Sequence, residues 1–98
     1  MDNLSKVKFK IHNLLPTLKS RFKVKSLSIF GSYVRGEEQK NSDLDILVDF
    51  YSPPTLIEFI QLKEFLSSHL DVNVDLVMRE AVKPHIGKQI LKEAISIS

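Results

Sequence analysis

Phe30-Gly31-Ser32-Tyr33-Val34-Arg35-Gly36-Glu37 and then Asn41-Ser42-Asp43-Leu44-Asp45-Ile46-Leu47-Val48-Asp49-Phe50 form the stretch from which the rest of the chain is read. Before it, Leu27 and Ile29 alternate with Lys25, Ser26 and Ser28, so Val24 to Phe30 has the period of a strand. Gly31-Ser32 then marks a tight turn that opens a helix. Leu44 to Phe50 is nearly continuous in apolar residues and broken only by Asp45 and Asp49, as expected of a buried strand with one functional face. Residues two apart on a strand point the same way, so Asp43 and Asp45 present their carboxylates together while Leu44 and Ile46 anchor the opposite face.

Two adjacent carboxylates repel, and burying them among Ile, Leu and Val without a counter-charge is costly. A bound cation resolves this. Magnesium suits the pair, because it takes a few carboxylate oxygens and leaves its other positions to water and substrate phosphates. Further along, Val72, Val74, Leu76 and Met78 alternate with Asp71, Asn73, Asp75 and Val77, which predicts a third strand with a polar face. If that strand neighbours the second, Asp75 completes a three-carboxylate cluster able to hold two metal ions. It is preferred to Asp71, which lies nearer the strand's entrance.

The remaining elements are helical. Leu4, Val7, Ile11, Leu14, Leu15, Leu18 and Phe22 recur at helical spacing, with Pro16 expected to kink or divide the helix. Thr55 and Glu58 have the spacing of a capping box, followed by Leu56, Phe59, Ile60, Leu66 and Leu70 on one expected face. Pro84 can open a last helix whose inward residues are Ile86, Ile90, Leu91, Ala94 and Ile95. The sum is an α/β arrangement of three strands with helices packed on the sheet.

The chain has 98 residues, 43% of them hydrophobic and 27% charged, which fits one domain spanning residues 1–98. Its small core predicts modest stability and dependence on a partner or an oligomer. There is no cysteine, which excludes disulfides, zinc-thiolate sites and thiol nucleophiles. Neither a signal-peptide pattern nor a membrane-length apolar run is present, so a cytoplasmic location is expected. The formal net charge of +2 is unevenly spread: Lys6, Lys8, Lys10, Lys19, Arg21, Lys23 and Lys25 face Asp2 alone in the first quarter of the chain. That excess reads either as the solvated side of an amphipathic helix or as a surface attracting phosphate or an acidic partner.

Alone, a Gly-Ser pair is an ordinary turn with a capping serine, and an Asp-x-Asp is nearly as common. Their spacing is more specific. Gly31-Ser32, ten residues, then Asp43-Leu44-Asp45 resembles the G-S-x10-D-x-D pattern of the polymerase-beta-like nucleotidyltransferases. The whole stretch from Phe30 to Phe50, with Val72-Asn73-Val74-Asp75-Leu76-Val77, resembles the minimal nucleotidyltransferase (MNT) proteins, antitoxins of HEPN/MNT pairs. Val34 stands where alanine is common in that family.

The resemblance implies the polymerase-beta-like fold, a small mixed three-stranded sheet flanked by about four helices. It implies two Mg2+ ions on Asp43, Asp45 and Asp75, and ATP held at Gly31 and Ser32. Arg35, one helical turn after Ser32, reads equally as a contact to triphosphate or partner and as a pair with Glu37, Glu38 or an aspartate. The resemblance further implies transfer of AMP, with release of pyrophosphate, to a tyrosine of a HEPN ribonuclease toxin. Two other readings stay open. One is nucleotidyl transfer to a small molecule or RNA end presented by a separate chain, with nucleic acid less favoured than protein; the other is neutralisation by binding alone. His12, His69 and His85 read as surface or helix-end residues, Asp49 as a solvated strand end, and Tyr33 as stacking on a base or packing at the sheet edge.

Overall fold

Asp2 accepts a 2.7 Å hydrogen bond from the Ser5 amide and so caps α1 (Asn3–Arg21), satisfying one of the amides that a helix start leaves without a partner. The computed structural model containing this helix describes residues 2–82 and 84–97, with the side chains of 84–86 outside the description. The expected placements of His85 and Ile86 therefore lie outside the described residues. Val7, Ile11, Leu15 and Leu18 of α1 are buried, while its lysines are exposed, as an amphipathic helix requires. Of the two expected effects of Pro16, division of the helix does not occur, since α1 runs unbroken through it. The Pro16 ring is exposed, and the buried residues on both sides of it hold the helix where its missing N–H weakens one turn.

The remaining elements follow in order: β1 (Val24–Phe30), α2 (Ser32–Arg35), β2 (Leu44–Phe50), α3 (Leu56–Leu70), β3 (Val74–Met78), a 3-10 turn (Arg79–Ala81), α4 (Pro84–Glu93) and β4 (Ile95–Ser96). The sheet order is β3-β2-β1-β4, with β2 and β3 parallel and the other pairs antiparallel. It is therefore mixed, as expected, but has four strands in the described residues. The extra strand is the segment assigned from sequence to the last helix: Ile95 pairs with Ile29, and the Ile97 amide donates to the Leu27 carbonyl at 3.0 Å. Ala94 likewise follows the helix, and Leu91 is 49% exposed instead of facing inward.

One sheet face carries the core. Leu27 and Ile29 of β1, Leu44, Ile46 and Val48 of β2, and Val74 and Leu76 of β3 pack with α1 and with Leu62, Leu66 and Leu70 of α3. A register irregularity between Val24 and Ser26 allows Val24 to join this face despite its odd spacing from Leu27. The Thr55–Glu58 capping box is present, with both hydrogen bonds formed, at 2.8 and 3.2 Å.

The expected apolar face of α3 needs correction, because Leu56 and Ile60 are exposed. At about 100° per residue, Ile60 lies roughly 120° from the centre of the Leu62–Leu66–Leu70 stripe. Leu56 is in the first turn, and a helix of 15 residues, about 22 Å long, outruns a neighbouring strand of five, about 17 Å.

Replacing the exposed Pro16 with alanine restores a donor within α1 without altering its buried face. Pro16→Ala is expected to raise unfolding stability by about 1–2 kcal/mol, somewhat less than the full helix-interior difference because the unfolded chain also gains freedom. Urea denaturation with an unchanged slope is the check; equal or lower stability would contradict this account.

Candidate active site

The ends of β1 and β2 meet through the pairing of Phe30 with Asp45. The chain leaves β1 at Gly31, whose φ of 80° and ψ of −151° suit glycine alone. The side chain of Asp45 lies directly over this residue, and a Cβ on Gly31 would collide with its carboxylate. Two constraints thus select glycine here: backbone conformation and the approach of a carboxylate. Ser32 opens the single turn of α2, which closes through amides of Val34 and Arg35 donating to the Gly31 carbonyl at 3.1 and 3.2 Å. Gly36, at φ 71°, ends it.

Parallel pairing of β2 with β3 sets Leu44 beside Val74 and Asp45 beside Asp75. In a parallel pair, lateral neighbours of the same parity share a face, so the two carboxylates stand together opposite the core. One step earlier, Asn73 donates to Asp43 Oδ1 at 3.0 Å while its carbonyl accepts the Leu44 amide at 2.9 Å. Asp43, Asp45 and Asp75 therefore gather at one end of the β2–β3 pair, next to the Gly31-Ser32 turn. Asp71 is separate from them: it caps α3 in a left-handed conformation with φ 54°.

Burial pushes the Asp45 carboxyl up to about 6, reinforced by the Asp75 charge and hydrogen bond and by Asp43, with Arg35 opposing the rise. Asp43 and Asp75 are exposed and Asp45 is half-buried. Among the described residues, no group of three His, Cys, Asp or Glu side chains forms a ready metal cage. Within the set, Asp45 and Asp75 form one carboxylate pair, while Asp43 accepts from the Asn73 amide. The oxygen chemistry of the set fits magnesium, and the mutual repulsion at Asp45 is what a divalent ion would relieve.

Arg35 pairs with two carboxylates, Glu93 Oε1 at 2.7 Å from Nη1 and Glu37 Oε2 at 3.2 Å from Nε. The Glu37 contact was among the alternatives open from sequence; Glu93 was not. The same Glu93 oxygen accepts the Gly31 amide at 2.6 Å. A signal for Glu93 existed in the alternation of Ile95, Ser96 and Ile97, which marks the helix end just before it. Asn73 had been placed on the polar face of β3, but its bond to Asp43 depends on strand register. Tyr33 packs partly buried against the core, Asp49 accepts its neighbour's amide, and His12 and His69 are exposed.

A carboxyl that holds its proton more tightly in the folded state supports folding below its unfolded value of 3.8, and this support is lost as pH rises through about 6. Without divalent ions, stability is therefore expected to fall between pH 4 and 7 on the order of 1 kcal/mol, after allowance for solvent around the group. Asp45→Asn should remove that dependence and be the more stable form at pH 7.5. Denaturation series in chelator provide the measurement, and an unchanged pH slope in the variant would refute the assignment.

Comparison with known proteins gives this geometry a context. Residues 11–97 match the nucleotidyltransferase domain family. Protein adenylyltransferase MntA of Thermococcus cleftensis is 48% identical over 80 residues, covering 82% of this chain and 81% of that protein. A Methanocaldococcus jannaschii protein, provisionally named a protein adenylyltransferase, is 42% identical over 98 residues, covering 99% of this chain and 100% of that one. A structure provisionally described as a minimal nucleotidyltransferase superposes with a TM-score of 0.79 at 36% identity, over 97% of this chain and 95% of the other. A toxin-antitoxin structure with AMP-PNP gives 0.74 at 28% identity, over 89% and 72%. The complex of MNT antitoxin with a tri-AMPylated HEPN toxin from Shewanella oneidensis gives 0.71 at 25% identity, over 97% and 71%. With residues 11–97 matching the family and the turn, the paired strands and the carboxylates together at one end of the sheet, the chain belongs to the nucleotidyltransferase domain family.

Proposed function

We propose that this protein is a metal-dependent antitoxin enzyme that transfers AMP from ATP to a tyrosine hydroxyl of a HEPN ribonuclease toxin. The observation carrying this reading is the joining of Gly31, Asp45 and Asp75 at adjacent strand ends: a tight glycine turn against a carboxylate, with a second carboxylate beside it. The names of the related proteins, and the toxin complexes among the structural neighbours, support the acceptor.

Asp43 and Asp45 would hold two magnesium ions, with Asp75 completing the set on the acceptor side. When bound, the ions neutralise charge on the phosphates and lower the pKa of the acceptor hydroxyl. Ser32 donates its hydroxyl to the β- and γ-phosphates, and Arg35 lends positive charge to the same group. The acceptor oxygen forms a bond to the α-phosphorus as the bond from that phosphorus to the bridging oxygen breaks. Pyrophosphate leaves with that oxygen, and the Asp75 carboxylate is our assignment for the group receiving the hydroxyl proton.

Labelled ATP with Mg2+ is expected to mark the HEPN partner, and mass spectrometry of the co-expressed partner should find AMP on a tyrosine. Asp43→Ala combined with Asp45→Ala should abolish labelling; transfer surviving both changes would sink the mechanism. Full neutralisation by that double variant would instead support action by binding alone, and label on RNA or a small molecule would move the acceptor. Gly31→Ala, which sets a methyl against the Asp45 carboxylate, is expected to cut transfer about 100-fold or more through displacement of that group. Wild-type rates in this variant would remove the significance given to the close approach.

A further inference from the structure

Strands β1 and β4 pair Ser28 with Ser96 and Ile29 with Ile95 in antiparallel register. Continued past Phe30, that register brings residue 93 opposite Gly31. At that point the partner chain is already in α4, where the backbone turns inward on itself: the Ala94 amide donates to the Ile90 carbonyl at 2.8 Å. A strand carbonyl is thus missing where the edge amide of Gly31 needs an acceptor, and a side chain supplies it. Glu93 Oε1 takes the Gly31 N–H at 2.6 Å and, with the same atom, the Arg35 Nη1 at 2.7 Å.

This places the carboxylate at the hinge of the site. On one side it holds the glycine over which Asp45 lies; on the other it fixes the direction of the one arginine in α2. Glu37 restrains the same guanidinium through Nε at 3.2 Å, but Glu37 is a near neighbour in sequence and meets the turn only through its backbone amide, which donates to the Ser32 carbonyl at 2.9 Å; its carboxylate does not take the Gly31 amide. Of the two carboxylates, that of Glu93 alone joins cation and turn.

We propose that Glu93 is a positioning residue for nucleotide binding, acting through Arg35 and the Gly31 amide to preset the surface that meets the triphosphate. The proposal rests on the reading that ATP lies beside Gly31, Ser32 and Arg35. Charge-assisted hydrogen bonds sharing one acceptor are stronger than neutral ones, and the two donors are fixed relative to each other before any ligand arrives.

The test is calorimetric binding of α,β-methylene-ATP with Mg2+, which needs no transfer to a partner, alongside melting curves. Glu93→Ala is expected to raise Kd about tenfold, as expected for losing one charge-assisted contact. Glu93→Gln keeps an oxygen for the Gly31 amide and should recover part of that loss. In an Arg35→Ala background, Glu93→Ala should add clearly less than its tenfold effect alone, the remainder coming from the Gly31 amide, since residues acting as a unit are not additive. Unchanged or tighter binding by Glu93→Ala would overturn the proposal, the tighter case identifying Glu93 as a plug displaced by phosphate. Full additivity with Arg35→Ala would also overturn it, as would equal losses in the Ala and Gln variants. Should the alanine variant fail to fold, the Gln variant must still weaken binding measurably at an unchanged melting temperature. A wild-type chain that binds the analogue yet labels no partner removes the proposed acceptor while leaving this role intact; no binding by wild type removes both.

Discussion

Asp45 is where the requirements of fold and chemistry meet. It is a strand residue with core side chains on both sides in sequence, and alternation turns it to the opposite face from Leu44 and Ile46. There its carboxylate is wedged between the backbone of Gly31 and the side chain of Asp75. No ordinary residue fits at Gly31 while Asp45 keeps this position, and no like charge sits comfortably at Asp75. The destabilisation is local, whereas the apolar residues offsetting it are distributed through α1, α3 and three strands. A small domain can carry a strained charge cluster when it displays that cluster from the back of its best-buried strand.

How far the chain could be read depended on the range over which each interaction acts. The Thr55–Glu58 capping box, the alternation of β2 and the amphipathicity of α1 are local, and each appears as its residues imply. Ile60 failed for lack of phase: it belongs to a helical apolar pattern but not to the stripe containing Leu62, Leu66 and Leu70. Pro16 does not divide its helix because burial of Ile11, Leu15 and Leu18 outweighs a local preference. Ile95 failed because its helical spacing from Leu91 outweighs the brief alternation of a two-residue strand, whereas Leu91 lies within α4 and is simply turned outward.

The site follows the same division. Parity alone put Asp43 and Asp45 on one face, and the spacing to Gly31-Ser32 made them a recognisable set. That Asp75 stands level with Asp45 depends on parallel register, which alternation within one strand does not specify. Asn73 and Glu93 depend on tertiary structure more strongly still: one meets Asp43 across strands, and the other meets Gly31 from 62 residues away.

That last separation has a consequence for the order of assembly. The glycine turn and two of the three carboxylates occur in the first half of the chain, and β3 follows soon after, so a nascent polypeptide has every group of the charged cluster before Glu93 is made. The brace between turn and arginine closes only when α4 and β4 have left the ribosome and folded back across β1, a long-range contact of the kind that forms late. During synthesis the carboxylates are therefore present before the brace on Gly31 and Arg35 can form, and that brace arrives with the final turn of the last helix.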